Sequence, residues 1–185
     1  MTNLSNAQRL AEAISFAARA HQGHLRKDGE TPYVAHPMRV LAILATEFGV
    51  TDPDVLAAAV LHDVIEDTRT DHDDLGERFG ARVAEYVAAL SKDKRLPEDV
   101  REQQYLERLI AAPLEVKLCK LGDVYDNLAD SESLTDAGRA KHINKARELV
   151  ARFSSELPAE WRHVLTLVNA RIELASQLDG FDDRR

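Results

Sequence analysis

The chain has 185 residues, 44% hydrophobic and 30% charged, which suits one globular domain with its own core better than two. Its 24 Lys and Arg against 32 Asp and Glu give a net charge of −8, which excludes the basic footprint of a nucleic-acid binder but admits a small anionic ligand wherever a metal ion or local basic groups act at short range. The longest apolar run, from Val55 to Leu61, is far short of the roughly 18 residues of a membrane span, so no membrane association is expected. The opening residues carry no secretion-signal pattern and the single Cys119 cannot form an internal bridge, so a cytoplasmic location is expected. A chain of this length folds without disulfides or metal, so a bound metal would be there for chemistry.

Helical spacing dominates and no alternating run bounded by turn residues suggests a strand, so the fold class is all-α, a helical bundle. Ser5 and Gln8 read as a capping box opening a helix over about 6–21, with Leu10, Ile14, Ala17, Ala18 and His21 on its apolar stripe. Residues 22–32, with two glycines and a proline, form a loop carrying Arg26 and Lys27. His36-Pro37 starts a second helix with proline in the favoured first position, Met38, Leu41, Ala45 and Phe48 as its buried stripe and Gly49 as its end. Asp52-Pro53 opens a third, whose Val55–Leu61 stretch is apolar on every side and belongs at the centre. That helix runs into His62-Asp63-Val64-Ile65-Glu66-Asp67, with Thr68 as the place to fray.

Leu75, Phe79, Val83, Val87 and Leu90 predict a helix pair around Gly80, followed by a basic loop with Lys92, Lys94 and Arg95. Further helices fall at about 98–111, 114–129, 136–155 and 158–178, with Phe153 and Trp161 as core anchors of the last two. The motif-bearing core is about 13–130, the C-terminal helices about 136–178, and residues 179–185 are a short charged tail of the same single domain.

His36, His62, Asp63 and Asp123 lie on three separate elements that can converge on a cation. Adjacent helical residues point about 100° apart, so His62 and Asp63 share one ion only at a helix end or an irregular turn. Two imidazoles and two carboxylates, with no thiolate, suit Mn²⁺, Fe²⁺, Mg²⁺ or a catalytic Zn²⁺. The same dipeptide also reads as an ordinary core histidine bonded to a carboxylate. Glu66 follows His62 by four residues and Asp67 follows Asp63 by four, which puts two acids beside the ligands without forcing them into coordination. Lys120, Asp123 and Asn127 share one helix face, which by itself is equally a solvated one. Arg26 and Lys27 fit either phosphate clamps or a solvated turn. His21, His24, His72, His142 and His163 lack sequence partners and read as core or surface histidines.

Arg26-Lys27-Asp28-Gly29-Glu30-Thr31-Pro32-Tyr33-Val34-Ala35-His36-Pro37, then Ala59-Val60-Leu61-His62-Asp63-Val64-Ile65-Glu66-Asp67-Thr68, then Lys120-Leu121-Gly122-Asp123 with Asn127, resembles the hydrolase domain of the RelA/SpoT homologue family, and the length resembles its small stand-alone alarmone hydrolases. The resemblance runs from about Ala13 to Leu128. It implies an HD-type helical fold and Mn²⁺-dependent removal of the 3′-pyrophosphate from guanosine tetra- and pentaphosphate. Position by position, His36, His62, Asp63 and Asp123 match the metal ligands, Glu66 and Asp67 the catalytic acids, Arg26 and Lys27 the base and phosphate contacts, and Asn127 a ribose contact. The chain departs from the family pattern at Val124 and Ala129, where basic residues are usual, and at Gly122, where alanine is usual.

Two other readings stay open. One is an HD phosphohydrolase acting on another nucleotide, such as an adenosine alarmone, a phosphorylated dinucleotide or a nucleoside phosphate, which Val124 and Ala129 favour. The other is a catalytically silent alarmone-binding module, against which Glu66 and Asp67 argue, because two acids facing an anionic ligand weaken binding.

Overall fold

Ser5 Oγ accepts the backbone N–H of Gln8 while Gln8 Oε1 accepts that of Ser5, and this closed capping box starts α1 (Asn6–Ala20). The computed structural model describes residues 5–178, so the charged tail lies outside the described residues. The chain continues through α2 (Ala35–Thr46), α3 (Pro53–Leu61), α4 (Val64–Asp67), α5 (His72–Phe79), α6 (Ala81–Leu90), α7 (Glu98–Ala111), α8 (Leu114–Ala129), α9 (Asp136–Phe153) and α10 (Arg162–Gln177). Among the described residues there is no strand, only an isolated bridge between Leu25 and Pro32, and no helix is long and apolar enough to cross a membrane.

Helix α3 is the centre expected of it. Asp52 caps it, Pro53 takes the first position, and Val55 and every residue from Ala57 to Leu61 are buried. It packs against α1, α2, α6 and α8, and each fully buried Val or Leu contributes about 1.5–3 kcal/mol of hydrophobic stabilisation. Helix α8 forms the second axis, packed on α2 and α10. Phe153 is fully buried, whereas Trp161 is half-buried against the core and stacks on His163.

Several sequence expectations are corrected. Helix α2 begins at Ala35, and Pro37 is its third residue; the first turn has no intrahelical N–H partners to lose, so proline fits there too. Helix α2 buries His36, Pro37, Val40 and Leu44 and ends at Thr46, with the buried Phe48 beyond it, while Met38 and Leu41 are half-buried and Ala45 exposed. Helix α1 likewise buries Ala13 and Ala17, leaving Ala18 outside. Helix α9 stops at Phe153, and a short 3₁₀ turn, Ala159–Trp161, precedes α10.

Candidate metal centre and nucleotide cleft

The apolar α3 ends at Leu61 and α4 starts at Val64, so His62 and Asp63 form the irregular turn between them. Breaking the helix at this point lets neighbouring side chains face one centre. The irregularity therefore lies at the two residues themselves; Thr68 closes only the single turn of α4. Helix α2 delivers His36 from one side and α8 delivers Asp123 from the other, and His36, His62 and Asp123 form a possible metal-binding triad with one donor atom from each within 4.8 Å of the others.

The hydrogen bonds fix which ring atoms are available. The Ala59 carbonyl, 2.8 Å from His62 Nδ1, can only accept, so Nδ1 donates. The Asp126 carboxylate, 2.7 Å from His36 Nδ1, imposes the same tautomer on His36. In the neutral rings both Nε2 atoms then present lone pairs to carboxylates: His36 Nε2 stands 3.1 Å from Asp123 Oδ1 and 3.7 Å from Asp63 Oδ2, and His62 Nε2 stands 3.0 Å from Asp63 Oδ2. His62 Nε2 is buried with no hydrogen-bond partner. Lone pairs aimed at carboxylates repel unless a cation lies between them, so the donor set fits a divalent metal of the nitrogen- and oxygen-binding class. Protons compete for the same lone pairs: burial opposes charge on His62, but Asp63 and Asp123 outweigh it and lift the group to about 9. Burial opposes the Asp123 carboxylate too, yet Lys120, 2.6 Å away, and the two histidines hold it well below the usual range.

Glu66 and Asp67 flank this centre on α4. Glu66 accepts the Lys92 backbone N–H at 2.9 Å, and burial raises its carboxyl above the ordinary value. Asp67 accepts Lys94 Nζ at 2.5 Å; the Tyr33 hydroxyl donates to Asp63 Oδ2 at 2.5 Å and stands 3.3 Å from Asp67 Oδ2. The basic loop thus folds over the acidic pair.

A cleft of about 800 Å³ opens from the centre between α4, α7, α8 and α9. Its lining includes His36, His62, Asp63, Glu66, Asp67 and Asp123 at the centre, and elsewhere it mixes apolar Leu106, Ile110, Val124 and Leu149 with charged Glu102, Glu107, Lys145 and Arg152. That size and mixed lining suit a nucleotide-sized ligand. Asn127 lines the cleft and donates to Asp123 Oδ1. Arg26 bonds Asp130 Oδ2 at 2.9 Å through Nε and Asn127 Oδ1 at 3.1 Å, and its guanidinium lies over the Tyr33 ring. Its loop is held by Gly29, at φ +76, whose N–H donates to the Arg26 carbonyl, and by Asp28, which accepts from the backbone of Glu30 and Thr31. Lys27 Nζ stands 3.3 Å from His142 Nε2. His142 is half-buried and lines the cleft; its neighbour Lys27 lies 115 positions away, so no local pattern marks it.

Three further residues escaped the sequence reading. Asp126 orients His36, Arg39 grips Asp126 with bonds of 2.6 and 3.0 Å, and Asp130 accepts from both Arg39 and Arg26. The available signal was register: Asp126 follows Asp123 by three residues, and Arg39 follows His36 by three.

The HD domain family model matches residues 13–157. Among curated proteins, the guanosine-3′,5′-bis(diphosphate) 3′-pyrophosphohydrolase MESH1 of Mus musculus is 43% identical over 139 residues, covering 75% of this chain and 78% of that protein. The bifunctional (p)ppGpp synthase/hydrolase SpoT of Escherichia coli is 36% identical over 173 residues, covering 90% of this chain but 23% of that protein. A solved structure described as a metazoan ortholog of SpoT that hydrolyzes ppGpp and plays a role in starvation responses superimposes with a TM-score of 0.82 at 30% identity, covering 94% of this chain and 98% of that one.

Proposed function

The chain belongs to the HD-domain family, alongside the MESH1 pyrophosphohydrolases, and from that premise we propose that it is a metal-dependent hydrolase that removes the 3′-pyrophosphate of guanosine tetra- and pentaphosphate, yielding GDP or GTP and pyrophosphate. The observation that carries this reading is the pair of imidazole lone pairs facing two carboxylates at the end of a nucleotide-sized cleft. His36, His62, Asp63 and Asp123 are the ligands, and Mn²⁺ is the ion proposed. When bound, the ion supplies a Lewis acid that polarises a phosphoryl oxygen and eases deprotonation of a water. Glu66, whose raised carboxyl is poised to take up a proton, accepts it from the attacking water, and Asp67, held by Lys94 beside Tyr33, orients that water. Arg26 and Lys27 bind base and phosphate, and Asn127 meets the ribose. These basic groups offset locally the repulsion that the net charge of −8 imposes on a polyphosphate.

The motif-bearing core and the helices after it act as one catalytic domain in this reading, since α9 supplies part of the cleft wall, and the cytoplasm is the proposed location. The apolar Val124 in the cleft wall supports a second reading, in which the same chemistry serves another nucleotide. Product analysis with guanosine tetraphosphate and with a phosphorylated dinucleotide, in Mn²⁺ and in chelator, decides between them. Metal-dependent release of GDP and pyrophosphate is expected. Turnover of the dinucleotide alone would retain the chemistry and change the substrate, and turnover of neither would leave a binding module.

A further inference from the structure

The interface between α2 and α8 carries two rungs of polar side chains one helical turn apart. The first, His36 with Asp123, faces the metal centre; the second, Arg39 with Asp126, lies behind it, and the diagonal from His36 Nδ1 to Asp126 Oδ2 ties them together at 2.7 Å. Asp126 is 2% exposed, so its charge is compensated by partners and not by water. Both of its oxygens are taken by the Arg39 fork, which fixes the plane of the carboxylate and hence the direction from which it accepts the His36 proton.

We propose that Asp126 and Arg39 are a positioning pair that holds His36 as an Nε2 ligand and joins it to Arg26 through Asp130. The proposal rests on the metal-hydrolase reading above. The two histidines differ in how they are held. His62 is oriented by the Ala59 carbonyl, a fixture of the backbone, whereas the tautomer and ring direction of His36 depend wholly on a side chain. An acceptor at Nδ1 keeps the Nε2 lone pair forward and makes the ring a better donor to a metal. Arg39 balances the acid, so that Asp126 accepts a hydrogen bond from the ring without adding uncompensated negative charge behind the ligands.

The frame extends past His36. Asp130 Oδ2 accepts from Arg39 Nη2 at 3.1 Å and from Arg26 Nε at 2.9 Å, and Arg26 reaches Asn127, which donates to Asp123. Two acids and two guanidinium groups alternate along Asp126, Arg39, Asp130 and Arg26, so the network is neutral and satisfied at each step. One rigid unit thereby sets a metal ligand and the side chain assigned to the nucleotide.

The test is Mn²⁺ titration of the metal-stripped full chain, followed by electron paramagnetic resonance of free Mn²⁺ at one fixed pH, with circular dichroism for helix content. Asp126→Asn keeps the shape and removes the charge; its Mn²⁺ Kd is expected to rise about 10–100-fold with helix content unchanged. Arg39→Gln, at a half-exposed position, is the second variant should Asp126→Asn fold poorly; its Kd is expected to rise several-fold, with Arg39→Lys between it and the unaltered chain because an ammonium cannot fork both oxygens. Unaltered Mn²⁺ affinity in a folded Arg39→Gln chain, and in Asp126→Asn where that folds, would overturn the proposal and leave the metal reading standing. Failure of the unaltered chain to bind Mn²⁺ would overturn the metal reading and the proposal with it.

Discussion

Gly122 of α8 lies so close to Leu44 of α2 that a Cβ on it would sit 2.2 Å from Leu44 Cδ1 and 3.3 Å from Val40 Cγ1. Leu44 is fully buried, so it cannot swing away into solvent. The missing side chain leaves room for Leu44 and Val40 of α2 to pack against the α8 backbone beside Asp123. Gly122→Ala is therefore expected to destabilise the fold by about 1–3 kcal/mol through overpacking. Combining it with Leu44→Ala should give a loss smaller than the sum of the two single variants, because the new methyl partly fills the space vacated by the leucine. Urea unfolding of the three variants measures this; additive losses would show that the two positions do not touch in solution.

Removing a ligand and removing a proton acceptor should have separable effects. Asp63→Ala is expected to abolish metal binding and turnover together, while Glu66→Gln is expected to keep metal affinity and lose about 10²–10⁴-fold in kcat. Metal titration alongside steady-state kinetics distinguishes the two. A fully active Glu66→Gln enzyme would remove Glu66 from the mechanism.

Metal should stabilise the fold, because the unfolded chain offers no assembled set of ligands. At a free Mn²⁺ concentration 100 times Kd the gain is about 2.7 kcal/mol, read as a rise in Tm that chelator reverses. The rise should vanish in Asp63→Ala.

The pH dependence of the metal-free protein follows from His62, raised from its ordinary 6.5 to about 9 by Asp63 and Asp123 against the opposing effect of burial. A group bound more tightly to its proton in the folded state stabilises fully below its unfolded pKa and loses that contribution as pH rises through the folded one. Stability of the metal-free chain is therefore expected to fall between about pH 6.5 and about 9 through this group. Metal affinity should move the other way, since the ion displaces protons from the lone pairs. Urea midpoints at a series of pH values, with and without Mn²⁺, check both directions.

The amino-acid sequence by itself determined most helix boundaries, because their signals act within four residues: the Ser5–Gln8 box, the Asp52-Pro53 start and the glycine between α5 and α6 all lie beside the ends they set. It also marked the ionisable cluster at the end of the apolar α3 and, through the ordered motifs, the residues proposed as ligands and acids. Only the tertiary structure decided which face of α2 is buried, since Val40 and Leu44 turn inward against Gly122 while the equally apolar Met38 and Leu41 do not. It alone revealed Tyr33 between the two acids, His142 beside Lys27, and Asp126 with Arg39 behind His36. The His36–Asp126 bond spans 90 positions and Arg39–Asp126 spans 87. Such partners are chosen by how two helices pack, and helical periodicity states which residues share a face without stating which face of another helix they will meet.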